Sequence, residues 1–264
     1  MKTLLFGLFF AVAAVYWFQI GGEQTVLLRN TLYLLFPLIA IIFGLFALKQ
    51  YGLRGQRTAL VACLTLGMMG LFTGEVLFYL YEFVFNINPF PSIADFFYLL
   101  AYPLFLYALI HELRQTPINW KSIRPATRFL FLILSAAFAL LVLYFGVYLV
   151  YDPGMSLTSN AIAIAYGLGD LGLIVVDLSV LVLAWEFRRG TFSSLWMRLF
   201  LSFIAMLVGD ILFAIYSVQY QSEVWIYKSV IDTFFMLSYV FFAYGLLHFG
   251  FSILKAKSKI KKKL

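Results

Sequence analysis

Thiol and imidazole are scarce in this chain: one cysteine, Cys63, and two histidines, His111 and His248, in 264 residues. A single thiol excludes an internal disulfide and a cysteine metal cluster. The two histidines fall at the ends of apolar runs, where such side chains cap helix carbonyls. Charge is equally scarce. Charged residues make up 12% of the chain against 64% hydrophobic ones, about half the charge of an average soluble domain. That balance excludes a soluble globular fold. The stretches between apolar runs reach about a dozen residues, which leaves no room for a soluble domain, a linker or a low-complexity segment apart from the lysine-rich end.

What remains is long apolar sequence. A hydrocarbon core of roughly 30 Å needs about 20 helical residues at 1.5 Å each. Eight runs meet that length, near 3–20, 31–49, 58–85, 94–112, 128–150, 160–186, 195–219 and 226–250. The sequence predicts an all-α integral membrane protein of eight transmembrane helices. The first run also has the form of a signal peptide, with Lys2, an apolar stretch and small residues at Ala11, Ala13 and Ala14. We keep it as a span because an internal repeat needs it.

Gly74-Glu75-Val76-Leu77-Phe78 matches Gly209-Asp210-Ile211-Leu212-Phe213 at a shift of 135 positions, and Arg54-Gly55 matches Arg189-Gly190 at the same shift. Beyond the intervening loop the shift becomes 137. There Asp95, Phe97, Leu100, Tyr102, Phe105, Tyr107, Leu109 and His111 recur as Asp232, Phe234, Leu237, Tyr239, Phe242, Tyr244, Leu246 and His248. This pattern predicts two tandem four-helix halves, about 1–125 and 126–254, within one membrane domain. The shift spans an even number of helices, so both halves have the same orientation.

Seventeen of the nineteen basic residues fall on one side of that topology, with only Arg29 and Lys228 opposite. The positive-inside rule then puts both termini in the cytoplasm. The basic tail, 255–264, is expected to lie against anionic lipid, at about 1 kcal/mol per basic residue. The net charge of +7 therefore reflects orientation and membrane lipid as a partner, not nucleic acid. The last apolar run has Lys228 only at its outer edge, which excludes retinal in the manner of a microbial rhodopsin. No cofactor is expected, and the pattern is compatible with a homo-oligomer.

Six of the acids within the apolar runs stand out. An ionised carboxylate near a helix centre costs about 2.5–3.5 kcal/mol, and polar groups at that depth face the bundle interior and usually serve a function. Glu75, Asp170 and Asp210 lie about ten residues from the outer ends of their runs, and Asp95 and Asp232 nearer the surface. Asp177 follows Asp170 by seven residues, on the same helix face and about 10 Å below. With no base at matching depth, these acids are protonated, take hydrogen bonds from tyrosines, or hold a cation. Tyr102 and Tyr239, each seven residues beyond an aspartate, are the candidate donors, and Tyr98 falls on the same face as Tyr102.

Structural explanations compete at each position. Asp95, after Pro91-Ser92, reads first as a helix cap. At Asp232, Glu75 and Asp210, packing and binding weigh equally. Gly74 and Gly209 admit a close neighbouring helix, so carboxyls that join the two halves would need no ligand. Asp170 and Asp177 stand where the first half has Leu35 and Ile42. Such a break in the repeat points to a functional addition. The expected site is an outward-facing acidic pocket of Glu75, Asp170 and Asp210, rimmed by Asp95 and Asp232. No catalytic or metal-ligating set is expected. Pro37 and Pro103 fall inside apolar runs and predict kinks.

Pro91-Ser92-Ile93-Ala94-Asp95-Phe96-Phe97-Tyr98-Leu99-Leu100-Ala101-Tyr102-Pro103-Leu104 resembles a segment of the multi-helix N-terminal membrane module of bacterial diguanylate cyclases and phosphodiesterases (GGDEF and EAL proteins) and some histidine kinases. Ala165-Tyr166-Gly167-Leu168-Gly169-Asp170-Leu171 and Met206-Leu207-Val208-Gly209-Asp210-Ile211-Leu212-Phe213 are similar to further parts of it. The resemblance covers roughly residues 60–250. It implies a sensory or regulatory membrane domain in the plasma membrane of a prokaryote. Two departures stand out. Gly167 replaces an expected proline, and a short lysine tail follows the last helix where the family has a linker and an output domain. No cyclase, phosphodiesterase or kinase chemistry carries over, and signalling would pass through a separate protein. A second resemblance, to lysoplasmalogenase-like membrane hydrolases, rests on Gly-Asp pairs inside helices and would use Asp170 and Asp210 as acid and base. The sequence has no serine–histidine pattern to support it. An ion- or proton-coupled transporter, with Asp177 as a second station, is the other alternative.

Overall fold

The computed structural model describes residues 2–20, 22, 26–52, 58–115, 121, 123–187, 191–222 and 224–261. The matched Arg54-Gly55 and Arg189-Gly190 lie outside the described residues. Among the described residues every regular element is a helix. Inside a bilayer there is no water to satisfy the backbone, so each amide must find its partner within its own segment.

Ten helices follow in order: α1 (Lys2–Trp17), α2 (Val26–Tyr33), α3 (Leu35–Tyr51), α4 (Thr58–Tyr79), α5 (Ile93–Gln115), α6 (Pro125–Val142), α7 (Leu157–Phe187), α8 (Thr191–Ile215), α9 (Ser217–Gln221) and α10 (Trp225–Lys261). Seven segments are long and apolar enough to cross a membrane, which makes this a multi-pass membrane protein. The eighth expected span, α1, has 16 helical residues. At 1.5 Å each it is about 24 Å long, shorter than the hydrocarbon core. It lies along α10, with Phe6 against Phe241 and Tyr244 at 6.1 and 5.9 Å. At its other end the Tyr16 carbonyl accepts from Trp225 Nε1 and Ser229 Oγ.

Pro37 shapes the second span. It has no N–H to offer the Tyr33 carbonyl, and the helix breaks at Leu34 between α2 and α3. The flanking bonds are stretched, Leu34 N to Asn30 O and Leu38 N to Leu34 O both at 3.4 Å. Pro103 is accommodated inside an unbroken α5. Two spans end in wide π turns, Leu80–Val84 after α4 and Leu143–Tyr148 after α6.

The broadest interfaces pair α4 with α5, α8 with α10, and α3 with α10. Small residues let rings sink between helices. A Cβ on Gly74 would meet Tyr98 Cδ1 at 2.7 Å, and one on Gly209 would meet Phe235 Cε1 at 2.7 Å. Phe105, Phe203 and Phe242 meet in the core, with Phe105 5.6 and 5.3 Å from the other two. By contrast α6 exposes Phe129, Leu132 and Leu140, the surface that lipid contact requires. α10 continues as helix to Lys261 instead of releasing a separate tail at 255, and Lys257 Nζ donates to the Gln50 carbonyl at 2.5 Å. Residues 262–264 of the expected tail lie outside the described residues.

Candidate functional site

A cavity of about 530 Å³ opens between α4, α5, α7, α8 and α10. Four of the six singled-out acids line it: Glu75, Asp95, Asp170 and Asp210. Among the described residues, these four are also the only ones of charged type on its wall.

Each carboxyl is held by a different arrangement. On α4, Glu75 Oε1 accepts from Tyr33 at 2.9 Å and from Tyr239 at 2.5 Å. On α7, Asp170 Oδ1 accepts from Tyr102 at 3.0 Å, and the same hydroxyl lies 3.4 Å from Asp210 Oδ2 on α8. Tyr102 reaches that far because its ring lies against Gly169, where a Cβ would overlap it. Asp170 is 1% exposed, and its Oδ2 has no hydrogen-bond partner. The two aspartates therefore converge on one hydroxyl with no base between them.

Asp95 is a cap, as its position suggested, and also something more. Its Oδ2 accepts from the Ser92 amide at 2.7 Å while Ser92 Oγ accepts from the Ala94 amide at 3.1 Å. This is the reciprocal arrangement of a capping box. Its Oδ1 accepts from Tyr166 on α7 at 2.7 Å, which ties the start of α5 to α7. Around the mouth, Asn160 Nδ2 donates to the Asp152 carbonyl at 2.8 Å, and Ser156 Oγ accepts from the Ser159 amide at 3.0 Å at the start of α7.

Two of the expected residues lie off the cavity wall. Asp232 was expected at the rim; instead it is buried behind Tyr220, which donates to its Oδ1 at 2.7 Å, while Oδ2 has no partner. Asp177 is fully buried below the cavity, and neither of its oxygens has a partner. Lys228, near the outer end of α10 as expected, is 5% exposed and paired with Glu82 at 3.2 Å, one turn from Asp232. Its ammonium also lies 4.6 Å from the Tyr220 ring.

The sequence reading missed Glu82 and the donors Tyr33, Tyr166 and Tyr220. Their only signal was abundance: with 17 tyrosines nothing marks which hydroxyls meet an acid. Gly167, the departure from the resembled motif, has a structural use. A Cβ there would meet the Gly146 carbonyl oxygen at 2.5 Å, so α7 and the π turn after α6 touch backbone to backbone at the cavity wall.

Neither histidine lines the cavity. His248 Nδ1 contacts Ser194 Oγ at 3.3 Å, a serine–histidine contact that the sequence did not reveal. Arg198 also donates to that hydroxyl, at 3.3 Å, so the pair sits beside a positive charge. His111 Nδ1 is buried without a partner. Among the described residues no group of three or more His, Cys, Asp or Glu side chains is placed to hold a metal ion.

No protein-family model, curated protein or solved structure matches this chain.

Proposed function

We propose that this is a membrane sensory or regulatory protein. It binds a small ligand, a cation or a proton in the acidic cavity and passes on the resulting change in helix packing. The observation that carries this reading is the cavity itself, with Glu75, Asp170 and Asp210 brought to one wall from three helices and Asp170 Oδ2 left without a donor. A carboxyl kept at that depth without a partner costs stability. A bound cation or proton supplies the missing charge balance.

The architecture in this reading is two similar four-helix halves, α1 serving as the first helix of the first half. A crossed exchange supports it. Tyr102 of the first half reaches Asp210 of the second, and Tyr239 of the second reaches Glu75 of the first. Matched rings also meet, Phe78 with Phe213 at 6.2 Å and Phe105 with Phe242 at 5.3 Å. A ligand at this seam contacts both halves, so its binding is felt as a shift of one against the other. The distribution of basic residues supports cytoplasmic termini and an outward-facing cavity in the plasma membrane of a prokaryote.

Thermal melting in nanodiscs tests the reading. Wild type, Asp170→Asn and Asp210→Asn are compared across pH, inorganic cations and a panel of lipids and metabolites. A compound or ion that raises the wild-type midpoint but not the variants' identifies the site. If nothing shifts the wild type and both variants melt lower throughout, the acids are packing groups and the reading is wrong.

A coupled transporter is the second reading, and Asp177 favours it. It lies about 10 Å below Asp170 on the same helix face with both oxygens unpartnered, the position of a second station for a moving proton or cation. Substrate-dependent flux in proteoliposomes that disappears in Asp177→Asn supports transport. Absence of flux under every gradient refutes it.

A further inference from the structure

Hydrogen-bond accounting at the cavity narrows the chemistry of its occupant. A tyrosine hydroxyl has one hydrogen and two acceptor lone pairs. Tyr33 and Tyr239 spend theirs on Glu75, Tyr102 on Asp170 and Tyr166 on Asp95. What these groups still offer is mainly acceptor capacity: hydroxyl lone pairs and the carboxyl oxygens of Asp170 and Asp210, which share Tyr102 as donor and lie within hydrogen-bonding reach of each other. An occupant of the deep wall that brings hydrogens and positive charge therefore satisfies these acceptors and balances the carboxyls that ionise.

Size and lining decide what kind of cation. About 530 Å³ is the scale of an organic ligand, far larger than a bare ion needs, and no group of residues here is arranged as a metal site among those described. Apolar and aromatic side chains share the wall with the acids: Phe78 and Phe213 lie one turn outward of Glu75 and Asp210, and Leu71 and Met206 one turn inward. Ring faces attract cations and cover apolar bodies alike.

We propose that the cavity takes an organic cation, an ammonium or guanidinium group on an apolar or aromatic body, its N–H hydrogens donated to Asp170 Oδ2 and the Asp210 carboxylate. The proposal rests on the pocket reading above and names its ligand class. The charged head lies at the seam between the halves, and the body packs against the rings of Phe78 and Phe213.

The test uses three probes of one shape that differ in charge: 2-phenylethylammonium, 2-phenylethanol and 3-phenylpropanoate. The full chain is held in phosphatidylcholine nanodiscs, whose zwitterionic lipid does not concentrate cations. Calorimetry and melting midpoints are read together. The ammonium is expected to bind about tenfold or more tighter than the alcohol, the scale of a charge-assisted hydrogen bond, and the propanoate not at all. Asp170→Asn and Asp210→Asn should each narrow the ammonium-to-alcohol affinity ratio towards one, while Ala163→Trp, which fills the cavity, should abolish binding of every probe. The wild-type comparison needs no variant, so it decides even if the asparagine proteins fail to fold. Ammonium binding that both asparagine variants retain overturns the proposal. Alcohol or propanoate binding equal to the ammonium's, abolished by Ala163→Trp, overturns the cation class and leaves the pocket reading standing. If no probe shifts the wild type, and Asp170→Asn melts lower under every condition, both fall.

Discussion

Gly167→Ala and Gly172→Ala make the same change five residues apart on α7, and the structure gives them opposite consequences. At Gly167 the new methyl would meet the Gly146 carbonyl oxygen at 2.5 Å, its carbon at 3.0 Å and its Cα at 3.3 Å. All three are backbone atoms, so no side chain can swing aside; α7 and the turn after α6 must separate. Overpacking of this kind costs about 1–3 kcal/mol, and the backbone obstacle argues for the upper half of that range. At Gly172 the methyl meets Leu106 Cδ2 and Cδ1 at 3.5 and 3.6 Å, ordinary contact. There alanine adds packing and removes a glycine from a helix interior, a gain of up to about 1 kcal/mol, trimmed because a membrane helix stays helical when its tertiary contacts are lost. Melting midpoints of both variants in one detergent, read against wild type, check this. Gly167→Ala should fall clearly and Gly172→Ala should match or exceed wild type. A Gly167→Ala midpoint at or above that of Gly172→Ala refutes the backbone-contact argument.

Tyr102→Phe removes the hydroxyl that Asp170 and Asp210 share; the expected loss is about 1–3 kcal/mol, from buried acceptors left without their donor, and in Asp170→Asn the same change should cost measurably less, because the two positions couple. Lys228→Gln removes the cation paired with half-buried Glu82 and should destabilise by about 1–3 kcal/mol, with the double variant Lys228→Gln, Glu82→Gln recovering part of the loss; a double variant no better than the single one by melting rejects the pairing. Asp177→Leu replaces two unpartnered buried oxygens with a side chain of similar volume. It should melt above wild type by an amount corresponding to about 1–3 kcal/mol, and a lower midpoint would show that Asp177 has a partner in the folded protein.

Which features were legible beforehand follows from the range of the interactions behind them. Seven spans, with boundaries within a few residues, could be read from the chain, because burial in hydrocarbon is decided by consecutive residues. The break before Pro37 and the cap at Asp95 were legible for the same reason: a missing amide hydrogen and a Ser-x-x-Asp spacing act within one turn. The length of α1 was overread, since the apolar Phe18 and Ile20 continue past the last helical residue, Trp17.

By itself, then, the sequence determined that this is an all-helical, multi-pass membrane protein with carboxyls at fixed depths in its spans, because hydrophobic length and local backbone chemistry suffice for both. Only the tertiary structure decided which of those carboxyls meet. It joined Glu75, Asp95, Asp170 and Asp210 around one cavity, set Asp177 and Asp232 apart from it, and paired Lys228 with Glu82. Depth along a span depends on the rise per residue, whereas contact between spans depends on how each helix is rotated and how closely its small residues let a neighbour approach. Tyr102 beside Gly169, and Gly167 against Gly146, are settled by several helices together and by no single segment of the chain.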